Sequence, residues 1–385
     1  MKVISNYEMD ITNNNFFTAT FKNSFIGFAV LFFVISACLF PLKTAKAVNE
    51  VKWHPGHYYI LFHNGKSSDS YMNTVYGELE RTPALRGIQA RFSWSELETA
   101  KGVYNFALID KLLAQLSARK KRLFVHIGIK SFSPDESSIP NYLKTPEYEG
   151  GEFIYVKYNT SIPKGKYAKL WNAKVRDRLV ALYIALGKRY NSHPYFEGTT
   201  MNETAWGAAM PRLTTEQENT FFDNLAIVHQ KMRAAFPNSV NFQYLNFPRS
   251  QLSELISKFK QSRTGIGCPD VFTQDPGLNF AGTANSPPGI YKYYPKNSGV
   301  LPLMVQIEHA NYLDTRADLQ GYQPTVTELL NFARDNLQVN YLFWTRTPGY
   351  YDNVLELLNF KQQKVNASGG LRAACPSTFS SCKTD

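Results

Sequence analysis

Cysteine and charge are both scarce in this chain of 385 residues, with four cysteines in all and Asp, Glu, Lys and Arg together at 19%. So little charge, with no long polar tract, excludes a large disordered region. No glycine-rich GxGxxG turn opens a βα unit, which disfavours a dinucleotide-binding sheet. No cysteine or histidine spacing matches a zinc site, and neither a metal nor another cofactor is expected. The 42 Lys and Arg exceed the 31 Asp and Glu, but they are scattered. Without a dense basic run interleaved with aromatics, nucleic acid is not an expected partner. What is present is a composition of 44% hydrophobic and 14% aromatic residues, enough to bury one large core or two ordinary ones.

Residues 1–47 differ from the rest. Phe25 to Leu42 is almost wholly apolar, Lys2 and Lys22 precede it, and Ala45-Lys46-Ala47 follows. That layout is expected to be a secretory signal cleaved before Val48. Two readings compete with it. The run just reaches the length of a membrane anchor, and Ile35-Ser36-Ala37-Cys38 resembles a lipoprotein signal. A membrane is a partner only if the segment is retained or lipidated. The segment holds four Lys/Arg and two Asp/Glu, so the mature chain would carry a net charge of +9. In an oxidising compartment Cys375 and Cys382, which enclose Pro-Ser-Thr-Phe-Ser-Ser, are expected to form a local disulfide in a C-terminal tail, residues 366–385. Cys268 is then a small unpaired core residue.

From Val48 to about residue 365, short apolar or β-branched runs alternate with amphipathic helical patterns. The strand candidates are His57–Phe62, Arg86–Phe92, Leu123–Ile129, Phe196–Met201, Val240–Leu245, Ile266–Thr273, Pro302–Ile307 and Val339–Phe343. Thr215 with Glu218, and Thr325 with Glu328, fit capping boxes at helix starts. Eight alternations in one domain predict an α/β fold, a (β/α)8 TIM barrel. Ser131–Leu170 lacks a clear period and is expected to be a long loop after strand three, forming one wall of a cleft.

Polar and aromatic groups gather at the predicted strand ends, where a barrel builds its site. Arg91 ends strand two, His126 lies on strand three, and Asn202 and Glu203 follow strand four, with Trp206 close behind. Tyr244 and Asn246 belong to strand five, Gln274 and Asp275 to strand six, Glu308 and His309 to strand seven, and Trp344 to strand eight. A pair of carboxyls at rigid strand ends is the material of retaining glycoside hydrolysis, one protonating the leaving oxygen and one attacking the anomeric carbon. His126, Trp206 and Tyr244 are further candidate substrate contacts. Trp94 reads as packing, and Trp53 and Trp171 as structural.

Four segments carry a resemblance. They are Arg91-Phe92-Ser93-Trp94-Ser95-Glu96-Leu97-Glu98 with Gly102-Val103-Tyr104-Asn105-Phe106 and Ile109-Asp110, then Asn202-Glu203, Gln306-Ile307-Glu308 and Phe343-Trp344. In this order the chain resembles the clan A glycoside hydrolases, retaining (β/α)8 enzymes that include cellulase-like and family-42-like β-galactosidase members. The resemblance implies Glu203 as acid/base, Asn202 as a contact to the sugar 2-hydroxyl, and Glu308 as nucleophile. It also implies Arg91 as the residue orienting Glu308 and Trp344 as a sugar platform. The substrate implied is a poly- or oligosaccharide. Phe242-Gln243-Tyr244-Leu245-Asn246 departs from the His-x-Tyr pattern of cellulase-like members, and Asp270–Pro276 is atypical. A barrel that binds polysaccharide without turnover is the alternative.

Overall fold

The computed structural model describes residues 50–61, 63–360 and 366–384. The expected signal segment with Cys38, the last residue of the first strand candidate, Phe62, and the expected barrel boundary at 365 lie outside them. Eight parallel strands close a barrel in chain order. They are β1 (Gly56–Ile60), β2 (Leu85–Ser93), β3 (Arg122–Gly128), β4 (Phe196–Met201), β5 (Val240–Tyr244), β6 (Gly265–Cys268), β7 (Leu303–Ile307) and β8 (Tyr341–Thr345). Around them run α1 (Asp69–Arg81), α2 (Ala107–Ala118), α3 (Ala173–Tyr190), α4 (Thr215–Ala235), α5 (Arg249–Ser262), α6 (Val326–Asn331) and α7 (Tyr351–Leu358). No helix among the described residues is long and apolar enough to cross a membrane.

Successive strand residues face opposite sides of a sheet, and here that alternation separates two cores. Tyr58, Phe124, Phe242, Tyr341 and Phe343 form the inner cluster, meeting edge to face across the barrel, as in Tyr58–Phe124 at 5.1 Å between centroids. Their neighbours Ile88, Val125, Val305 and Leu342 face outward into the larger core beneath the helices. Side chains thus fill the barrel.

The helix starts follow from their caps. Thr325 and Glu328 satisfy each other's amides at α6, as expected. At α4 the reciprocal pair is Thr214 with Gln217. This corrects the Thr215–Glu218 expectation: the cap lies one residue earlier, and Gln217 fills the acceptor role as well as Glu does.

Residues 131–170 are more ordered than their composition suggests. Glu152–Val156 and Pro163–Ala168 pair as a hairpin, and Ala208–Met210 adds a third antiparallel strand. Tyr155 donates to the Ser131 carbonyl at 2.7 Å, and Tyr167 to the Glu203 carbonyl at 2.8 Å, which fastens this sheet to the ends of β3 and β4. At the opposite end of the barrel, Cys382–Lys383 pairs in parallel with Val51–Lys52, Phe379 meets Trp53, and Cys375 is bonded to Cys382. Cys268 is buried and free.

Candidate active site

The same alternation aims the site. Gln89 and Arg91 on β2, His126 on β3, Thr200 and Asn202 along β4, and Gln306 and Glu308 along β7 share the inner side at the C-terminal rim, and they bond to one another across the barrel. Gln89 Nε2 donates to Thr200 Oγ1 at 3.1 Å and to the Tyr244 hydroxyl at 2.7 Å, while His126 Nδ1 meets Thr200 Oγ1 at 2.9 Å. The His126 ring stacks on Tyr244, with centroids 5.7 Å apart. Burial, with the Arg91 charge adding, holds the His126 imidazole well below its usual range and therefore neutral. Burial pushes the Tyr244 hydroxyl up to about 12. This neutral layer is a floor under the charged groups.

Glu308 stands on that floor. Its Oε1 accepts from Arg91 Nη2 at 2.7 Å and from the Gln306 amide, and its Oε2 from Thr345 Oγ1 at 3.2 Å. Burial opposes the Arg91 charge, but Glu308 beside it raises the guanidinium's pKa. The Glu308 amide donates to Asn311 Oδ1 at 2.8 Å, which fixes the start of the next helical turn, His309–Leu313. The side chain remains 30% exposed.

Glu203 has a second and separate donor set. Its Oε1 accepts from Lys130 Nζ at 2.6 Å, its Oε2 from Asn246 Nδ2 at 2.6 Å, and the side chain is 17% exposed. Asn202 Oδ1 accepts from the amides of Ile129 and Lys130 at 2.6 and 3.2 Å, tying β4 to β3. With Oδ1 committed, Asn202 can offer only its NH2 to a ligand. A groove of about 370 Å³ opens beside these groups, lined by Arg91, His126, Lys130, Phe132, Glu136 and Asn202. Phe132 is 57% exposed there.

Two expected sugar contacts are corrected. β8 begins two residues later than expected and runs to Thr345; along it Tyr341, Phe343 and Thr345 face inward, and Trp344, alternating with them, faces outward. Trp344 is fully buried and donates Nε1 to His57 Nδ1 at 3.0 Å, and it cannot offer a face to the cleft. Trp206 is 8% exposed, stacked on Phe222 and edge-on to Phe153, and its ring belongs to the packing of the added sheet. Strand six is likewise shorter than expected, because it stops before Pro269. The residue at its end is Asp270, while Gln274 bonds Thr315 and Asp275 caps the amides of Gly277 and Leu278. Burial, with Glu203 and Glu308 adding, pushes the Asp270 carboxyl up to about 8. Lys130, Thr345, Asp270 and Phe132 are thus the rim residues to which the sequence assigned no role. Lys130 and Phe132 were recognisable at the end of strand three, whereas Thr345 and Asp270 required the strand ends to be known.

A larger cavity lies elsewhere among the described residues. About 600 Å³ opens at the N-terminal end of the barrel, lined by Lys52, His54, Arg122, Asn191 and Lys383. The carboxylate against it, Glu197, is fully buried and bonded to His54 and Tyr341. In the smaller groove, the lining residues Arg91 and Lys130 each hold a partly open carboxylate, Glu308 and Glu203.

No protein-family model matches the chain, and no curated protein matches it by sequence. Solved structures do. The catalytic domain of a β-amylase from Paenibacillus polymyxa superposes with a TM-score of 0.55 at 7% identity, over 80% of this chain and 98% of that one. A β-galactosidase from the psychrophilic Marinomonas ef1 gives 0.51 at 10% identity, over 76% of this chain. One from Bacillus circulans gives 0.51 at 10% over 77%. The matches span 54% and 51% of those two β-galactosidases. What these likenesses share with this chain is the fold, a (β/α)8 barrel.

Proposed function

We propose that the protein is an exported retaining glycoside hydrolase acting on a poly- or oligosaccharide. The observation that carries the reading is the pair of carboxylates at the ends of β4 and β7, each partly open and each held by its own cation and amide. The sugar-cleaving names of the solved relatives supply the substrate class. The expected leader and the disulfide support export, outside the cell or into a periplasm.

In the first step Glu203 gives its proton to the glycosidic oxygen while a Glu308 oxygen bonds to the anomeric carbon and the carbon–oxygen bond to the leaving group breaks. In the second, Glu203 takes a proton from water, the water oxygen bonds to the anomeric carbon, and Glu308 leaves. Arg91 orients Glu308 for attack through its hydrogen bond to Oε1. Asn202 offers its NH2 to a sugar hydroxyl, His126 and Tyr244 support the floor, and Phe132 offers an apolar face to a ring.

A panel of poly- and oligosaccharides incubated with the mature domain, read by reducing-end release and product size, tests this. Shortened sugar is expected, and a ladder of intermediate lengths would indicate internal cleavage. Binding without products would instead support a polysaccharide-binding barrel. That second reading draws on one observation: both Glu203 oxygens already carry protein donors.

A further inference from the structure

We propose that Lys130 is the positioning residue of the acid/base carboxylate, fixing Glu203 in place at the end of β4. The inference rests on the acid/base assignment of Glu203 above.

Lys130 lies two residues past the end of β3, and its side chain is 3% exposed. Besides Glu203, its ammonium donates to the Ala205 carbonyl at 2.7 Å. The rings of Phe132, Tyr155 and Tyr167 surround it, with centroids 4.5, 4.8 and 5.8 Å from Nζ. A buried ammonium needs such compensation, and here π faces and one carboxylate supply it. The backbone is fixed as well, because Asn202 holds the Lys130 amide. On the other side of Glu203, Asn246 Oδ1 accepts from the amides of Ala205 and Phe247 at 3.1 and 2.8 Å, which leaves its NH2 to face Glu203. Glu203 is therefore clamped at both oxygens, by one cation and one neutral amide.

The other titratable or charged groups acting on Glu203 are Arg91, Asp270, Cys268, Tyr155 and Tyr167. Those acting on Lys130 are Glu203, Lys164 and Asp270. Of the cations, Lys130 is the one hydrogen-bonded to Glu203. It favours the ionised carboxylate, so its removal should let Glu203 keep a proton to higher pH.

The test uses the full chain labelled with 13C-glutamate, with the Glu203 carboxyl resonance identified by its loss in Glu203→Gln. In Lys130→Met the titration midpoint should rise by about one to three pH units, and in Lys130→Arg it should return most of the way. An unchanged midpoint in folded Lys130→Met overturns the proposal, and Lys130→Gln carries the same comparison if the Met variant does not fold. With a substrate from the glycan panel, the basic limb of kcat/KM should move up together with the midpoint. A fall in kcat with an unmoved limb would reduce Lys130 to a structural role and also overturn the proposal. Failure of the acid/base reading itself looks different, since Glu203→Gln would then stay active.

Discussion

Strand β4 carries one glutamate near its start and another just past its end, and the two live in opposite surroundings. Glu197, at the N-terminal end of the barrel, is fully buried. His54 supplies its amide at 2.8 Å and Nδ1 at 2.7 Å, the Tyr341 hydroxyl lies at 2.8 Å and Arg122 at 3.6 Å. Burial alone would raise its pKa, but His54, Arg122 and Tyr341 draw it down to about 2. Glu203, at the other end, also has fixed donors but stays partly exposed, next to Asn202 and Lys130 of the groove. A dry carboxylate with all its partners in place holds the fold together, whereas one on the groove is available to a ligand. Under the proposed function, the same residue type on the same strand is divided between stability and chemistry by which rim it occupies.

The largest expected effect falls on the open end. Glu203→Gln and Glu308→Gln should each lower kcat/KM by about a hundred- to ten-thousand-fold while leaving the thermal midpoint nearly unchanged. Glu197→Ala should do the reverse, costing about 3–5 kcal/mol in denaturant unfolding, because Arg122 loses its buried counter-charge and His54 and Tyr341 lose their buried acceptor. Folded Glu197→Ala should keep its activity per molecule, and a large loss there would break the division between the ends.

Acid sharpens the contrast. A carboxylate with a folded value near 2 and an ordinary value near 4.5 contributes stability that is present above 4.5 and lost as pH falls toward 2, on the order of 3 kcal/mol. His57 and His229, lowered by burial to about 4, bind protons less readily folded than unfolded, so stability should already decline as pH falls below 6.5. Thermal midpoints measured from pH 7 to pH 3 should fall throughout. Glu197→Gln should flatten only the lower part, and a wild-type midpoint that stays level would contradict the assignment.

Smaller effects separate the aromatic residues and the third carboxyl. Trp344→Ala should cost about 3–5 kcal/mol of stability, whereas Phe132→Ala should raise KM several-fold and cost little stability. Equal stability losses would mean that Phe132 is packing. Asp270→Asn should change kcat/KM least at neutral pH, since a protonated carboxyl and an amide are near isosteres. A loss comparable to that of Glu203→Gln would make Asp270 part of the chemistry.

Period-two alternation made Arg91, Asn202 and Glu308 legible, because each continues the inner side of an apolar run. The ends of β6 and β8 were not legible. Pro269 stops one strand inside an apolar run, and Asn340, bonded to the Leu303 amide and the Arg372 carbonyl, delays the other. Trp344 alternates with the inward Phe343 and Thr345, so period two by itself turns it outward. Lys130 is legible at the end of strand three, but its role is not. Its burial depends on Tyr155 and Tyr167 from a hairpin whose pairing is not local. Glu197 is similarly silent in sequence, since its partners come from residues 54, 122 and 341.

The central claim is that Glu308 attacks and Glu203 alternates as acid and base. Its most direct test is the anomeric configuration of the first product, read by proton NMR in the first minutes of turnover. The account predicts the same configuration as the substrate, and an inverted first product would contradict it.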